Sequence, residues 1–391
     1  MAMKRIAVLD ADSHVFEPAE IWTQYMEPEY RVAARSAFYF SQDADGLCTV
    51  ILNGRPAAAI DSGRLNRRAI WRPGMSPEEI GGIDPAKPYP INPGAQKASS
   101  RLKDMDEIGV DKALLFPTLF AEYLPAVENP DLAYAFSRAY NNWIYDFCES
   151  APDRLFPVGI LPMQDAAFAI EEARRIAARG FKAAFIRPAF IHQQNFLSHR
   201  MYRPLWRALE ELNLTVSIHP STGHTNPEWT SVGAFVERVS ARLEIGHSVA
   251  EAVAYDGDNA IALTALMFCG HTEDYPGLKL AFVHGGTPLL WLALEKAETY
   301  LTFFMIRDVC LEPEKIFFKR NYLVTFNPWE RSVARLYDIL ENAGAWGSRY
   351  PNHDAAAPAE MEEKLRTAKV PPAAIAKFMG GNAANIFGLP L

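Results

Sequence analysis

Short, continuous apolar runs alternate along most of the chain with segments of helical periodicity. Ile6 to His14 is the first run, and Lys112–Pro117, Phe156–Pro162, Ala183–Pro188, Thr215–Pro220, Leu278–His284 and Tyr322–Phe326 follow it. They are apolar without alternation, as parallel strands covered on both faces must be. The stretches between them predict helices. Ser99–Ile108 is one. After Asn129-Pro130, a capping residue with proline at the first helical position, Leu132, Phe136, Tyr140, Trp143 and Phe147 recur at helical spacing. Gln164-Asp165 opens a helix that ends at Gly180, and Tyr202–Leu212, Glu330–Glu341 and Pro372–Met379 predict three more. Strands alternating with helices in seven or eight units predict an α/β fold, a closed (β/α)8 TIM barrel. A doubly wound open sheet would carry a glycine-rich phosphate turn after its first strand, and Asp10-Ala-Asp-Ser-His14 is not one.

The segment between His14 and Ser99 exceeds what one barrel unit needs. Phe38–Phe40 and Thr49–Leu52 flank Asp43-Ala-Asp-Gly46 and predict a β-hairpin, while Tyr89–Gly94 reads as loop. Residues 35–98 are expected to form an insertion over the barrel mouth, within a single domain spanning 1–391. A connection this long is usually functional.

Composition narrows the function classes. The 391 residues are 49% hydrophobic and 22% charged, an ordinary globular balance. A net charge of −8 offers no basic face for a nucleic-acid backbone. No run approaches the roughly 18 apolar residues of a membrane span. The apolar stretch before Asp10 is too short for a signal-peptide core. Cys48, Cys148, Cys269 and Cys310 form no CxxC pair and are expected to be reduced thiols in the cytoplasm.

Three histidines fall at ends of predicted strands: His14, His219 and His284. In a barrel those ends share one face, where active sites are built. Asp12 lies two residues before His14, so both side chains leave the strand on the same side. That pair can chelate a divalent ion, and His219 offers a third ligand. Arg187, at the end of the fourth run, can hold a substrate carboxylate through its planar fork or form a salt bridge at the barrel rim.

These residues lie in recognisable motifs. Leu9-Asp-Ala-Asp-Ser-His-Val-Phe-Glu-Pro18, Arg101–Asp111, Tyr202–Trp206 through His219-Pro220, Tyr275–Lys279 through His284-Gly-Gly286, and Gly381-Asn-Ala-Ala-Asn385 together resemble the amidohydrolase-2 family. That family includes aminocarboxymuconate-semialdehyde decarboxylase and γ-resorcylate decarboxylase. The resemblance implies a metal held by Asp12, His14 and His219, with His284 as general acid/base. It implies zinc, with manganese as the other candidate, and a homodimer acting on a small anionic substrate. Glu17 matches the opening motif too and reads as structural.

One position departs from the family pattern. The resemblance calls for Gly-Ser-Asp-Tyr-Pro-His after the eighth strand, the aspartate being the last metal ligand. Here the sequence is Gly347-Ser-Arg-Tyr-Pro-Asn352, after a short run at Ala343–Trp346. Arginine stays protonated and cannot ligate a cation. Three outcomes are open: the metal stays on Asp12, His14, His219 and water; Asp354 or His353 substitutes; or the metal is absent and Arg349 pairs Asp12 or binds an anion. Two enzyme classes follow. One is a metal-assisted decarboxylase or hydrolase acting on a carboxylated aromatic or cyclic compound. The other is a metal-free relative using His284 and Arg349. A degenerate, non-enzymatic partner subunit would have no need of all four residues Asp12, His14, His219 and His284.

Overall fold

A computed structural model of the chain describes residues 5–42, 48–56, 66–84, 87, 89–189, 191, 195–220, 255–284, 286–304, 315, 321–327 and 329–391. Eight parallel strands form one sheet: β1 (Leu9–His14), β5 (Lys112–Phe116), β6 (Leu155–Ile160), β7 (Ala183–Ile186), β8 (Thr215–Ile218), β9 (Leu280–Phe282), β10 (Tyr322–Phe326) and β11 (Gly344–Trp346). Each pairs with the next in chain order, and helices fill the intervals, which is the (β/α)8 barrel. The two ends meet where the last residues of β1 face the segment just beyond β11. The Arg349 amide donates to the Asp12 carbonyl at 2.8 Å, and the His14 amide to the Tyr350 carbonyl at 2.6 Å. Gly347 permits this closure, since a Cβ there would lie 2.4 Å from the Asp12 Cβ.

The expected hairpin is present as β2 (Phe38–Gln42) and β3 (Cys48–Leu52), antiparallel with Phe38 opposite Leu52, and a short β4 (Arg55–Pro56) extends it. Its turn, Asp43–Gly46, lies outside the described residues. Phe38 fixes the hairpin to the barrel through rings of Trp22, Phe120, Tyr123 and Phe136, with centroids 5.6–5.8 Å away. Such contacts contribute about 0.5–1.5 kcal/mol each beyond area burial.

Two helices differ from expectation. Over Glu330–Glu341 only Tyr337–Leu340 is α-helical. The Glu330 carboxylate turns back to accept from the Asn327 amide at 3.1 Å and the Thr287 hydroxyl at 3.0 Å, and the backbone after it makes mainly tight turns. The predicted Pro372–Met379 helix is Pro372–Ala376, continued by a π turn into Asn382–Phe387. Asn382 is held there by donating to the carbonyls of Glu341 and Gly344, both at 2.8 Å. Among the described residues no helix is long and apolar enough to cross a membrane.

Candidate metal centre

The end of β1 is built around buried charge. Arg101, fully buried on helix Ala98–Ile108, donates to the Gly94 carbonyl at 2.9 Å, the Ser13 hydroxyl at 2.7 Å and the His14 carbonyl. Its guanidinium lies 4.2 Å from the Tyr350 ring centroid. It thereby locks β1, the 92–95 loop and the segment after β11 in one arrangement. From sequence alone the stretch predicts a helix and carries a family motif, with no role for Arg101. The available sign was a charge on the Arg101, Met105, Ile108 face, which is otherwise apolar.

Asp10 and Glu17 flank the ligand pair. Asp10 accepts from the Ser348 amide at 2.8 Å and from its hydroxyl, tying β1 to the last strand loop. Glu17 accepts from the amides of Thr118 and Leu119 at 2.9 Å and Phe120 at 3.2 Å, capping helix Leu119–Tyr123. Burial pushes Asp10 up to about 6 and Glu17 up to about 7, against these hydrogen bonds. The folded state therefore keeps a Glu17 proton that the unfolded chain releases above its ordinary 4.5. The Glu17 contribution is fullest below that pH and is lost as pH rises through 7. Burial lowers His14 to about 4 and works in the opposite direction, so the raw midpoint is not the readout. Between pH 5 and 8 the stability of wild type relative to Glu17→Gln is expected to fall by about 3 kcal/mol in urea titrations. A pH-independent difference would refute this.

Asp12, His14 and His219 converge beyond these supports, all buried. His14 Nδ1 lies 3.2 Å from the Pro117 carbonyl and 3.1 Å from the Thr118 hydroxyl. His219 Nδ1 lies 2.5 Å from the Pro220 carbonyl. A carbonyl can only accept, so Nδ1 carries the proton in both rings and each Nε2 presents a bare lone pair. Those lone pairs are 3.2 Å apart, and they sit 3.0 and 3.5 Å from Asp12 Oδ1. That oxygen has no hydrogen-bond partner. Three unprotonated acceptors packed together repel one another unless a cation lies among them. Ligand atoms 2.0–2.2 Å from a shared ion lie roughly 3.0–3.5 Å apart, which is the separation found. The three residues can hold a divalent metal.

His284 completes the cluster. Its ring stacks on His219 at 5.4 Å and meets Tyr255 edge-on at 4.7 Å, and its amide is held by the Thr325 hydroxyl at 2.9 Å. Burial, with Arg349 and His219 nearby, holds its pKa well below the ordinary value, and among the described residues Nδ1 has no hydrogen-bond partner. It adopts φ +81°, an uncommon backbone for a non-glycine residue. Of the two glycines after it, Gly285 lies outside the described residues. Gly286 also has positive φ, and a Cβ there would meet Asp256 at 3.0 Å.

Arg349 sits beside the cluster, at φ +62°. Its Nε donates to Asp354 Oδ2 at 2.9 Å, and its Nη1 lies 3.9 Å from Asp12 Oδ2. Arg349 thus faces one Asp12 oxygen while the imidazoles face the other. Burial raises Asp354, but the Arg349 guanidinium outweighs it and brings the carboxyl to about 2. Committed to Arg349, Asp354 is not part of the ligand cluster. Arg187 lies one strand over from His219. It donates to the Glu122 carbonyl at 2.7 Å and lines a cavity with Gln164, Phe185 and Ile191. Glu122, in turn, is ion-paired with Arg68 from the long segment after β1.

Barrel, cluster and placement at the C-terminal strand ends define a (β/α)8 protein with a carboxylate–imidazole cluster that could hold a cation. The chain belongs to the amidohydrolase family (Amidohydro_2), whose model matches residues 11–389. The γ-resorcylate decarboxylase of Rhodococcus jostii is 28% identical over 204 residues, 49% of this chain and 57% of that protein. The chain thus spans little more than half the length of that curated relative. An amidohydrolase from Mycobacterium avium subsp. paratuberculosis shares the fold with a TM-score of 0.77 at 20% identity, over 98% of this chain and 100% of that one. A dihydroxybenzoic acid decarboxylase from Polaromonas sp., crystallised with manganese and the inhibitor 2-nitroresorcinol, does so with a TM-score of 0.64 at 17% identity, over 98% of each chain.

Proposed function

We propose that this protein removes a carboxyl group, as CO2, from a small hydroxylated aromatic acid, with a divalent ion on Asp12, His14 and His219. The convergence of three bare donor atoms beside a neutral, partner-free His284 carries this reading. The bound ion would supply Lewis acidity toward substrate oxygens. The carbon that loses CO2 must gain one proton. In this reading His284 takes a proton from a substrate hydroxyl through one ring nitrogen and passes it to that carbon, ending with its charge unchanged. Rings of Phe116 and Phe185 border His219 at 5.8 and 5.9 Å and suit a flat substrate. Arg187, one strand over from His219, is a further cation that could meet an anionic substituent of the substrate.

Zinc accepts two imidazoles and one carboxylate readily, and manganese is the ion of the Polaromonas relative. The free, buried thiol of Cys148 supports a cytoplasmic setting. Leu292, Tyr300 and Phe303, exposed on one face of helix Thr287–Phe304, support a homodimer. The whole chain is read as one domain.

Elemental analysis of purified protein, paired with a CO2-release assay on hydroxybenzoates, tests the reading. Stoichiometric zinc or manganese is expected, with release stopped by chelator and restored by the ion. Hydrolysis of ester or lactone analogues without CO2 release would replace decarboxylation by hydrolysis. A second reading has a specific observation behind it: the approach of Arg349 to Asp12 would also suit a metal-free site. Activity in chelated, metal-free protein would establish that reading.

A further inference from the structure

We propose that Arg349 is the residue that receives the planar carboxylate of the substrate on the open side of the Asp12–His14–His219 site. This rests on the decarboxylase reading above and assigns the recognition step within it. Arg349 is only 8% exposed, and its backbone is pinned to β1 through the Asp12 carbonyl. Its side chain is anchored at one point, Nε on Asp354. Among the described residues the N–H groups on Nη1 and Nη2 make no hydrogen bond, and the nearest carboxylate oxygen, Asp12 Oδ2, stands 3.9 Å from Nη1. The terminal donors of this nearly buried guanidinium are unspent and remain accessible to an incoming acceptor. The paired donors match the two oxygens of a carboxylate.

The surroundings agree with an anionic ligand. Asp354 and Asp12 hold the guanidinium charged despite its burial. A divalent cation on the three donors would stand beside the Arg349 guanidinium, giving one carboxylate two positive groups to meet. The Tyr255 ring against His284 supplies a flat wall on the same side. Arg349 therefore need not compete with the ion: it faces Oδ2 and leaves Oδ1 to the imidazoles.

Calorimetric titration with 2-hydroxybenzoate and its neutral analogue 2-hydroxybenzamide tests the assignment, on metal-loaded and chelated protein. Metal content is measured in parallel. Wild type should bind the acid more tightly than the amide. Arg349→Gln/Asp354→Asn, which removes both charges so that neither is stranded, should lose about 10- to 100-fold in affinity for the acid and keep its affinity for the amide. Arg349→Lys, which keeps charge without the fork, should fall between the two and remain folded. Equal effects on acid and amide, or no effect on the acid in either variant, overturn the proposal. Protein that holds no metal as purified, yet still binds the acid through Arg349, would refute the metal reading and leave this one standing.

Discussion

His219→Ala is expected to strip the bound divalent ion and reduce turnover by at least about a thousandfold, with the barrel intact. His219 contributes one of three ligand atoms, and two donors cannot hold an ion against water as three can. A bound cation contributes several kcal/mol of transition-state stabilisation, and each 1.4 kcal/mol or so is tenfold in rate. The structural cost is small, because among the described residues the side chain's only hydrogen bond to the protein backbone is the local one to Pro220. Thr118→Val is the graded comparison. It removes a hydroxyl from His14 Nδ1 and leaves the Pro117 carbonyl to orient the ring. Loss of such outer-shell support typically costs about 10- to 100-fold in metal affinity. Elemental analysis after dialysis, followed by the CO2-release assay, reads both. Full metal occupancy in His219→Ala would show that the ion, if any, lies elsewhere.

The barrel was legible because its strands are buried on both faces: continuous apolar runs such as Lys112–Pro117 end where β5 ends. The ligand cluster was legible for a related reason. Strand ends share one face in this architecture, so Asp12, His14 and His219 could be placed together before any distance was known. What depended on segments far apart in sequence was not legible. Arg101 draws partners from Gly94, Ser13, His14 and Tyr350, and only the fold brings them together. Glu330 shows the same limit. Its helical periodicity is genuine, but its carboxylate is drawn to Thr287 and Asn327, and the helix starts seven residues later. Arg349 stood out as a departure from the family motif. Which Asp12 oxygen it faces, and that Asp354 is its anchor, are properties of geometry.

His284→Asn separates chemistry from binding. Asparagine is among the residues that tolerate positive φ, so the backbone at +81° and its amide bond to Thr325 are expected to persist. The variant keeps the Asp12–His14–His219 cluster whole and removes the imidazole that stacks on it. If His284 moves the proton to the carbon losing CO2, kcat should fall by about 10²- to 10⁴-fold, the usual contribution of a positioned acid/base. KM should change little and metal content not at all. Binding of 2-hydroxybenzoate through Arg349 should also survive, because His284 is not its partner. A fall in metal content together with activity would place His284 among the ligands instead. A loss in kcat below tenfold, with metal retained, would assign proton transfer to another group. Asp256 is then the first candidate: its carboxyl, pushed up to about 6 by burial, lies against Gly286, two residues from His284.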